Sequence, residues 1–172
     1  MISFFVKIIF IFTISFFLKL QNTQSFVPLN DYYSFNLKKK TMKAIAIVES
    51  DDGKNINHKI LSDFSFAIGK YALMPNTIRF VIKKEKALKE YFFLIDYSNI
   101  ELYRYFKKNP FVLEKIANFY YDIIVGKIKT QDPAYVGYAW LNGIEKTKKN
   151  INKNISNHWH VKKILKAYYL QY

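Results

Sequence analysis

There is no cysteine in the 172-residue chain. That excludes disulfides, thiolate ligation of a metal or iron–sulfur cluster, and a cysteine nucleophile. A chain on the secretory route without cysteine has no bridges to withstand the extracellular medium, which points to a protected compartment. Arginine is nearly missing too, with Arg79 and Arg104 set against 25 lysines. Arginine makes the bidentate contacts to bases and phosphates, so its scarcity disfavours a sequence-reading nucleic-acid binder. Glycine and proline number only 5 and 4. Gly126, Gly137 and Gly143 are widely separated and none follows a convincing strand, so there is no phosphate-cradling loop. Ala139 and Gly143 make a small-x-x-x-small pair that suits close helix packing. Scarce Gly, Pro and Arg beside abundant Lys, Asn, Ile, Phe and Tyr match AT-rich codons. Part of the charge and aromatic content therefore reports mutation bias.

Catalytic signals are equally sparse. His158 and His160 stand two apart, which points them in different directions on a helix, and His58 is far off. Zinc would need a fourth ligand and a fixed geometry. Asp51 and Asp52 sit in a turn beside Gly53, where acids bond to local backbone. Asp63, Asp96 and Asp122 are scattered, and Glu101 and Asp132 mark helix starts. No pair suggests converging acid–base groups. We therefore expect no catalytic residue, no metal and no cofactor. An enzyme built on converged acids and His58 would have to show them in one deep pocket.

What is present is apolar material, 51% of the chain with 19% aromatic, enough for one domain with a core. The net charge of +14 is unevenly distributed. Residues 1–43 carry six lysines and one acid, residues 44–145 carry 14 bases against 12 acids, and residues 146–172 carry seven lysines and no acid. The middle is nearly neutral, and the excess lies at the two ends.

The N-terminal end reads as a leader. A short basic start reaching Lys7 precedes the uncharged run Ile8–Leu18, and Thr23 and Ser25 put small residues where a signal peptidase reads. The run is short for a membrane span, which needs about 20 apolar residues. An uncleaved anchor over Ile2–Leu20 would have to include Lys7 and Lys19. Behind the Ser25–Phe26 junction come Lys38, Lys39, Lys40 and Lys43, with Asp31 the single acid. Residues 26–45 show no periodicity that commits them to fold. This two-part arrangement resembles the bipartite leader of proteins sent to the apicoplast, the relict plastid of apicomplexan parasites. Phe26 stands where leaders for red-algal-type plastids begin. The resemblance covers residues 1–45 and implies location, not activity; ordinary secretion is the alternative.

The remainder, residues 46–172, reads as all-α. Ala44–Val48 alternates weakly, as a strand or as the end of the leader. Ile60, Phe64, Ala67, Ile68 and Tyr71 fall on one helical face after His58, ended by Met74-Pro75-Asn76. A second helix is expected over Thr77–Tyr97, with Val81, Leu88, Phe92 and Ile95 inward. Ser98 and Glu101 form a capping box, and Asn109-Pro110 and Asp132-Pro133 are helix starts. Leu113, Ile116, Ala117, Tyr120, Ile123 and Ile124 make one stripe. Val136, Trp140 and Ile144 share a helix reaching Lys149, and Ser156 caps the last, with Trp159, Ile164, Leu165 and Tyr168 opposite Lys162, Lys163 and Lys166. Five to six helices in a small bundle or orthogonal array are expected, preceded by a cleaved signal peptide and an unstructured leader.

The basic C-terminal helix is the functional candidate. Its lysines are interleaved with rings, and Trp140, Trp159, Lys162, Lys163, Lys166, Tyr168, Tyr169 and Tyr172 are the expected contact residues. A protein partner is expected first. RNA, tracked by lysines and stacked on by rings, and an anionic membrane surface are the alternatives, beside a plain docked helix with a solvated lysine face. The function expected is that of a non-enzymatic plastid accessory or binding protein, with a secreted parasite protein and a plastid RNA-binding or ribosome-associated factor as alternatives.

Overall fold

The structure, a computed structural model, describes residues 29–56 and 66–171, with side chains from Tyr33 onward. The chain divides into two compact units, Met1–Ser34 and Phe35–Tyr172. Of the first, only the opening turns of a helix are described. The expected signal peptide, the Ser25–Phe26 junction, Tyr172, and the Ile60 and Phe64 part of the expected helix lie outside the described residues.

The second unit is helical. Among the described residues there are seven α-helices, α1 (Leu29–Ser50), α2 (Pro75–Lys84), α3 (Asn99–Lys108), α4 (Pro110–Ile128), α5 (Pro133–Asn142), α6 (Ile144–Asn150) and α7 (Trp159–Tyr169), and one 3₁₀ segment (Lys86–Ile95). All-α is therefore correct, and the number of segments exceeds the five to six expected.

The largest departure is α1. Residues 29–45, expected to be unstructured, are helical. Lysine is a good helix former, and no Gly or Pro interrupts the stretch. Thr41, Met42, Ala44, Ile45, Ala46 and Ser50 are buried at helical spacing. That packing also replaces the weak strand at Ala44–Val48. The helix ends in three consecutive left-handed residues, Asp51, Asp52 and Gly53. Asp52 N–H donates back to the Ala46 carbonyl at 3.0 Å, closing the last turn. Ser50 Oγ accepts from Gly53 N–H at 2.8 Å and donates to the Lys70 carbonyl at 2.7 Å, tying the turn to the next segment.

That next segment is not the end of a helix. Ile68 and Leu73 exchange backbone hydrogen bonds at 2.9 and 3.1 Å across a tight turn. Gly69 has φ +69°, and a Cβ there would meet Leu113 Cδ2 at 2.3 Å. The apolar spacing of Ala67, Ile68 and Tyr71 buries a turn pressed against α4 instead of a helical face. Pro75 occupies the first turn of α2. Glu85, in extended conformation, breaks the expected Thr77–Tyr97 helix into α2 and the 3₁₀ segment. Val81 and Leu88 are buried as expected, whereas Phe92 is exposed. Arg79 holds the two pieces together. Its guanidinium donates to the carbonyls of Ile95 and Tyr97 at 3.2 and 2.6 Å and to Asn99 Oδ1 at 3.0 Å.

Three helix starts match the sequence. Ser98 and Glu101 form the reciprocal box, Pro110 opens α4 behind Asn109, and Asp132 Oδ1 accepts from Ala134 N–H at 2.8 Å. Asn109 differs in detail, since its side chain bonds back to the Tyr105 carbonyl. Ser156 does not cap α7; it bonds to Asn154, and His158 is the residue before the helix. Gly143, at φ +84°, splits the helix expected from Asp132-Pro133 to near Lys149 into α5 and α6. The close helix approach belongs to Gly137 instead, where a Cβ would meet Ile164 Cδ1 of α7 at 2.5 Å.

Helix α4 is the centre. Val112, Leu113, Ile116, Ala117, Tyr120, Tyr121, Ile123, Ile124 and Ile128 are buried, including the whole expected stripe. Neighbouring helices α2, α3, α5 and α6 pack on it. Trp140 closes the core from α5. Its indole lies 4.9 Å from the Tyr120 ring and 6.2 Å from the Tyr71 ring. Its Nε1 donates to the Tyr71 carbonyl at 3.0 Å, with both groups buried. Trp140→Phe keeps most of the ring volume but strands that carbonyl. The expected loss is about 1–3 kcal/mol, read as a lower urea midpoint with an unchanged helical circular dichroism spectrum.

Candidate contact surface on the last helix

Helix α7 divides cleanly. His160, Val161, Ile164 and Ala167 are buried, and Val161 joins Ala134, Tyr138 and Ile155 in a small satellite cluster. The other side carries Trp159, Lys162, Lys163, Lys166, Tyr169 and Leu170, all exposed. Their spacing of i, i+3, i+4, i+7, i+10 and i+11 is one continuous helical stripe, about 16 Å long at 1.5 Å per residue. Trp159 is 58% exposed at one end, and Tyr169 and Leu170 are 64% and 70% exposed at the other. Among the described residues, no carboxylate lies within ion-pair distance of the three lysines between them. Lys163 Nζ sits 5.0 Å from the centre of the Trp159 ring, and the His158 ring stacks near the same indole at 6.1 Å.

The structure thus gathers Trp159, Lys162, Lys163, Lys166 and Tyr169 on one face, which corrects the expectation that Trp159 lies opposite the lysines. Tyr168 turns partly inward, 5.9 Å from Lys40 Nζ, and Tyr172 lies outside the described residues. Trp140 does not belong to the surface. It is buried in the core described above, and its rank as a contact residue is corrected.

Residues missed by the sequence reading lie on α1. Gln171 Nε2 donates to the Lys40 carbonyl at 3.1 Å, so the end of α7 abuts the lysine-rich part of α1. Lys38, Lys39, Lys40 and Lys43, counted with the leader, are part of the folded unit. Lys38 pairs with Asp122 at 2.8 Å, and Lys43 and Lys70 share Asp52. Lys39 is exposed. The missed signal was the four-residue spacing of Thr41 with Ile45 and of Met42 with Ala46, overshadowed by the lysine run.

A second buried contact straps the same two helices. His160 Nε2 approaches Glu49 Oε1 at 3.2 Å, with the imidazole almost fully enclosed. The approach is close but poorly aligned, and neither atom gains a hydrogen bond among the described residues. Burial and the Glu114 carboxylate push the Tyr71 hydroxyl well above its ordinary range, and burial pushes that of Tyr120 up to about 12. Both stay protonated, and Tyr71 donates to Glu114 at 3.1 Å. Among the described residues no three of His, Asp and Glu converge as a metal site requires. No helix among them is long and apolar enough to cross a membrane. His58 lies outside the described residues.

Comparison of the chain with protein-family models, curated proteins and solved structures found no match.

Asp52 supplies a pH-dependent tie. Its hydrogen bond with Lys43 holds the carboxyl below its ordinary value of 3.8 against a smaller desolvation effect, and Lys70 reinforces the shift. A carboxyl depressed in the folded state stabilises above its unfolded value and loses that contribution as pH falls through the folded one. Asn tolerates the left-handed backbone at this position, so Asp52→Asn isolates the charge. The variant is expected to be less stable at pH 7 by about 1 kcal/mol or less, since the pairs are partly exposed. The difference should close as urea titrations are repeated at pH values falling below 3.8.

Proposed function

We propose that this chain is a non-enzymatic binding protein that recognises an acidic protein partner through the exposed stripe of α7. The observation that carries the reading is the row of lysines Lys162, Lys163 and Lys166 without acidic neighbours among the described residues, flanked by exposed Trp159 and Tyr169. A helix already docked on the body presents these groups at little further ordering cost, and aromatic anchors beside charges suit a protein interface. The alternatives have less support. Lys163 and His158 already lie beside the Trp159 ring, so a base stacking there would have to compete with them. The apolar side of α7 is spent on the core, so no such face remains to enter a bilayer.

For location we keep plastid delivery through the secretory pathway, supported by the leader composition, with secretion as the alternative. Removal of residues through 45 would take buried Thr41, Met42, Ala44 and Ile45 out of the unit. We therefore put the end of any removed leader before Phe35. Mass spectrometry of the native protein is expected to recover peptides containing Thr41–Lys43. A fluorescent fusion of residues 1–60 distinguishes plastid from extracellular delivery.

The binding reading is tested with the Lys162→Glu, Lys163→Glu, Lys166→Glu triple variant. These exposed sites should each alter stability by less than about 0.5 kcal/mol. Capture of protein partners by the tagged chain is expected to fall about tenfold or more, with the loss weakening at high salt. Unchanged capture overturns the proposal. Loss of RNA or anionic-liposome binding with no change in protein capture would move it to those partners.

A further inference from the structure

We propose a second binding site, independent of α7, for a single-chain anionic amphiphile of the fatty-carboxylate type. It lies where the 66–73 turn meets α3 and α4. A cavity of about 290 Å³ opens there, walled by Ile56, Ile68, Tyr103, Phe106, Pro110 and Leu113. Its deepest walls, Ile68, Phe106 and Leu113, belong to the buried core. The volume is close to the lower limit of small-molecule sites, about 300–1,000 Å³. At about 30 Å³ per water, it has room for a medium-length hydrocarbon chain and no second one.

The apolar cavity leads to a charged one. Lys70, Tyr71 and Glu114 line its edge and also line an adjoining groove of about 770 Å³. That groove carries Lys38, Lys39, Lys40 and Lys43 on α1. The carboxylates nearby are Glu114, Asp52 and Asp122, three against five lysines, so positive charge predominates. Asp52 and Asp122 are each engaged by lysines, and Glu114 is held by the Tyr71 hydroxyl. A chain inserted among the core side chains would leave its head group in the lysine groove. Apolar burial supplies affinity and the lysines select the sign of the head. A neutral or cationic amphiphile gains only the first of these, and a small inorganic anion only the second.

The test titrates the full chain calorimetrically with dodecanoate below its micellar concentration, alone and in the presence of each competitor. Saturable binding at one site with a micromolar Kd is expected, weakening with added salt. Dodecanol, dodecyltrimethylammonium and inorganic phosphate should each compete at least about tenfold less well. Ile56→Trp, at a 38% exposed position on the cavity wall, should block the chain and weaken dodecanoate by about tenfold while the circular dichroism spectrum is retained. Lys39→Gln with Lys70→Gln should weaken dodecanoate and leave dodecanol unchanged; this variant decides the matter if Ile56→Trp fails to fold. The α7 triple variant should bind dodecanoate like the parent. Absence of saturable binding, equal competition by dodecanol or phosphate, or full binding by a folded Ile56→Trp overturns the proposal.

Discussion

The hydrogen bond from the Trp140 indole to the Tyr71 carbonyl is the constraint on which the arrangement depends. It joins residues 69 apart in sequence and is made where water is excluded. Tyr71 belongs to a turn with few backbone bonds of its own, and Trp140 fixes that turn against α4 through Tyr120. The turn in turn receives Ser50 from the end of α1 at the Lys70 carbonyl. Elements far apart in the chain thus meet around one buried polar contact. Leaving such a group unpaired costs more than making the bond gains, which makes the position specific as well as stable.

This packing changes the meaning of the charge. Counted along the chain, the excess of lysine over acid falls in a leader and a tail. In the folded unit the end of α7 meets the lysine-rich part of α1 through Gln171 and Lys40. The two groups are nonetheless unlike. On α1, Lys38 and Lys43 are held by Asp122 and Asp52 and border a cavity. On α7, Lys162, Lys163 and Lys166 face solvent with no acid in ion-pair distance among the described residues. Equal composition therefore supports two different surfaces, one concave beside apolar walls and one a convex stripe between rings.

Local chemistry was legible wherever it is self-sufficient. Ser98 with Glu101 and Asp132 before Pro133 satisfy orphan amides within a few residues, and Pro110 has no amide hydrogen to satisfy, so their pattern alone locates the helix starts. The stripe of α4 was equally readable, because a helix surrounded by neighbours buries every residue at that spacing. Breaks were harder to read. Glu85 interrupts a good helical pattern because Arg79 satisfies the carbonyls beyond it, and Gly143 does so through a positive φ. Part of the candidate surface was legible too: Lys162, Lys163 and Lys166 share a face by helical period, whereas Trp159, expected opposite them, is exposed on their side. Trp140 was misassigned because an aromatic ring reads alike in a core and on a surface until its neighbours are known.

By itself the sequence determined the helical class, the caps, the stripe of α4 and the unbalanced charge of the last helix, since each follows from side chains at short range. Only the tertiary structure decided that residues 29–50 join a helix, that Ala67–Tyr71 form a turn, that Gly137 is the point of close approach, and that Trp140 is interior. Those outcomes depend on partners distant in sequence, which periodicity cannot encode. Burial and long-range hydrogen bonding settled them.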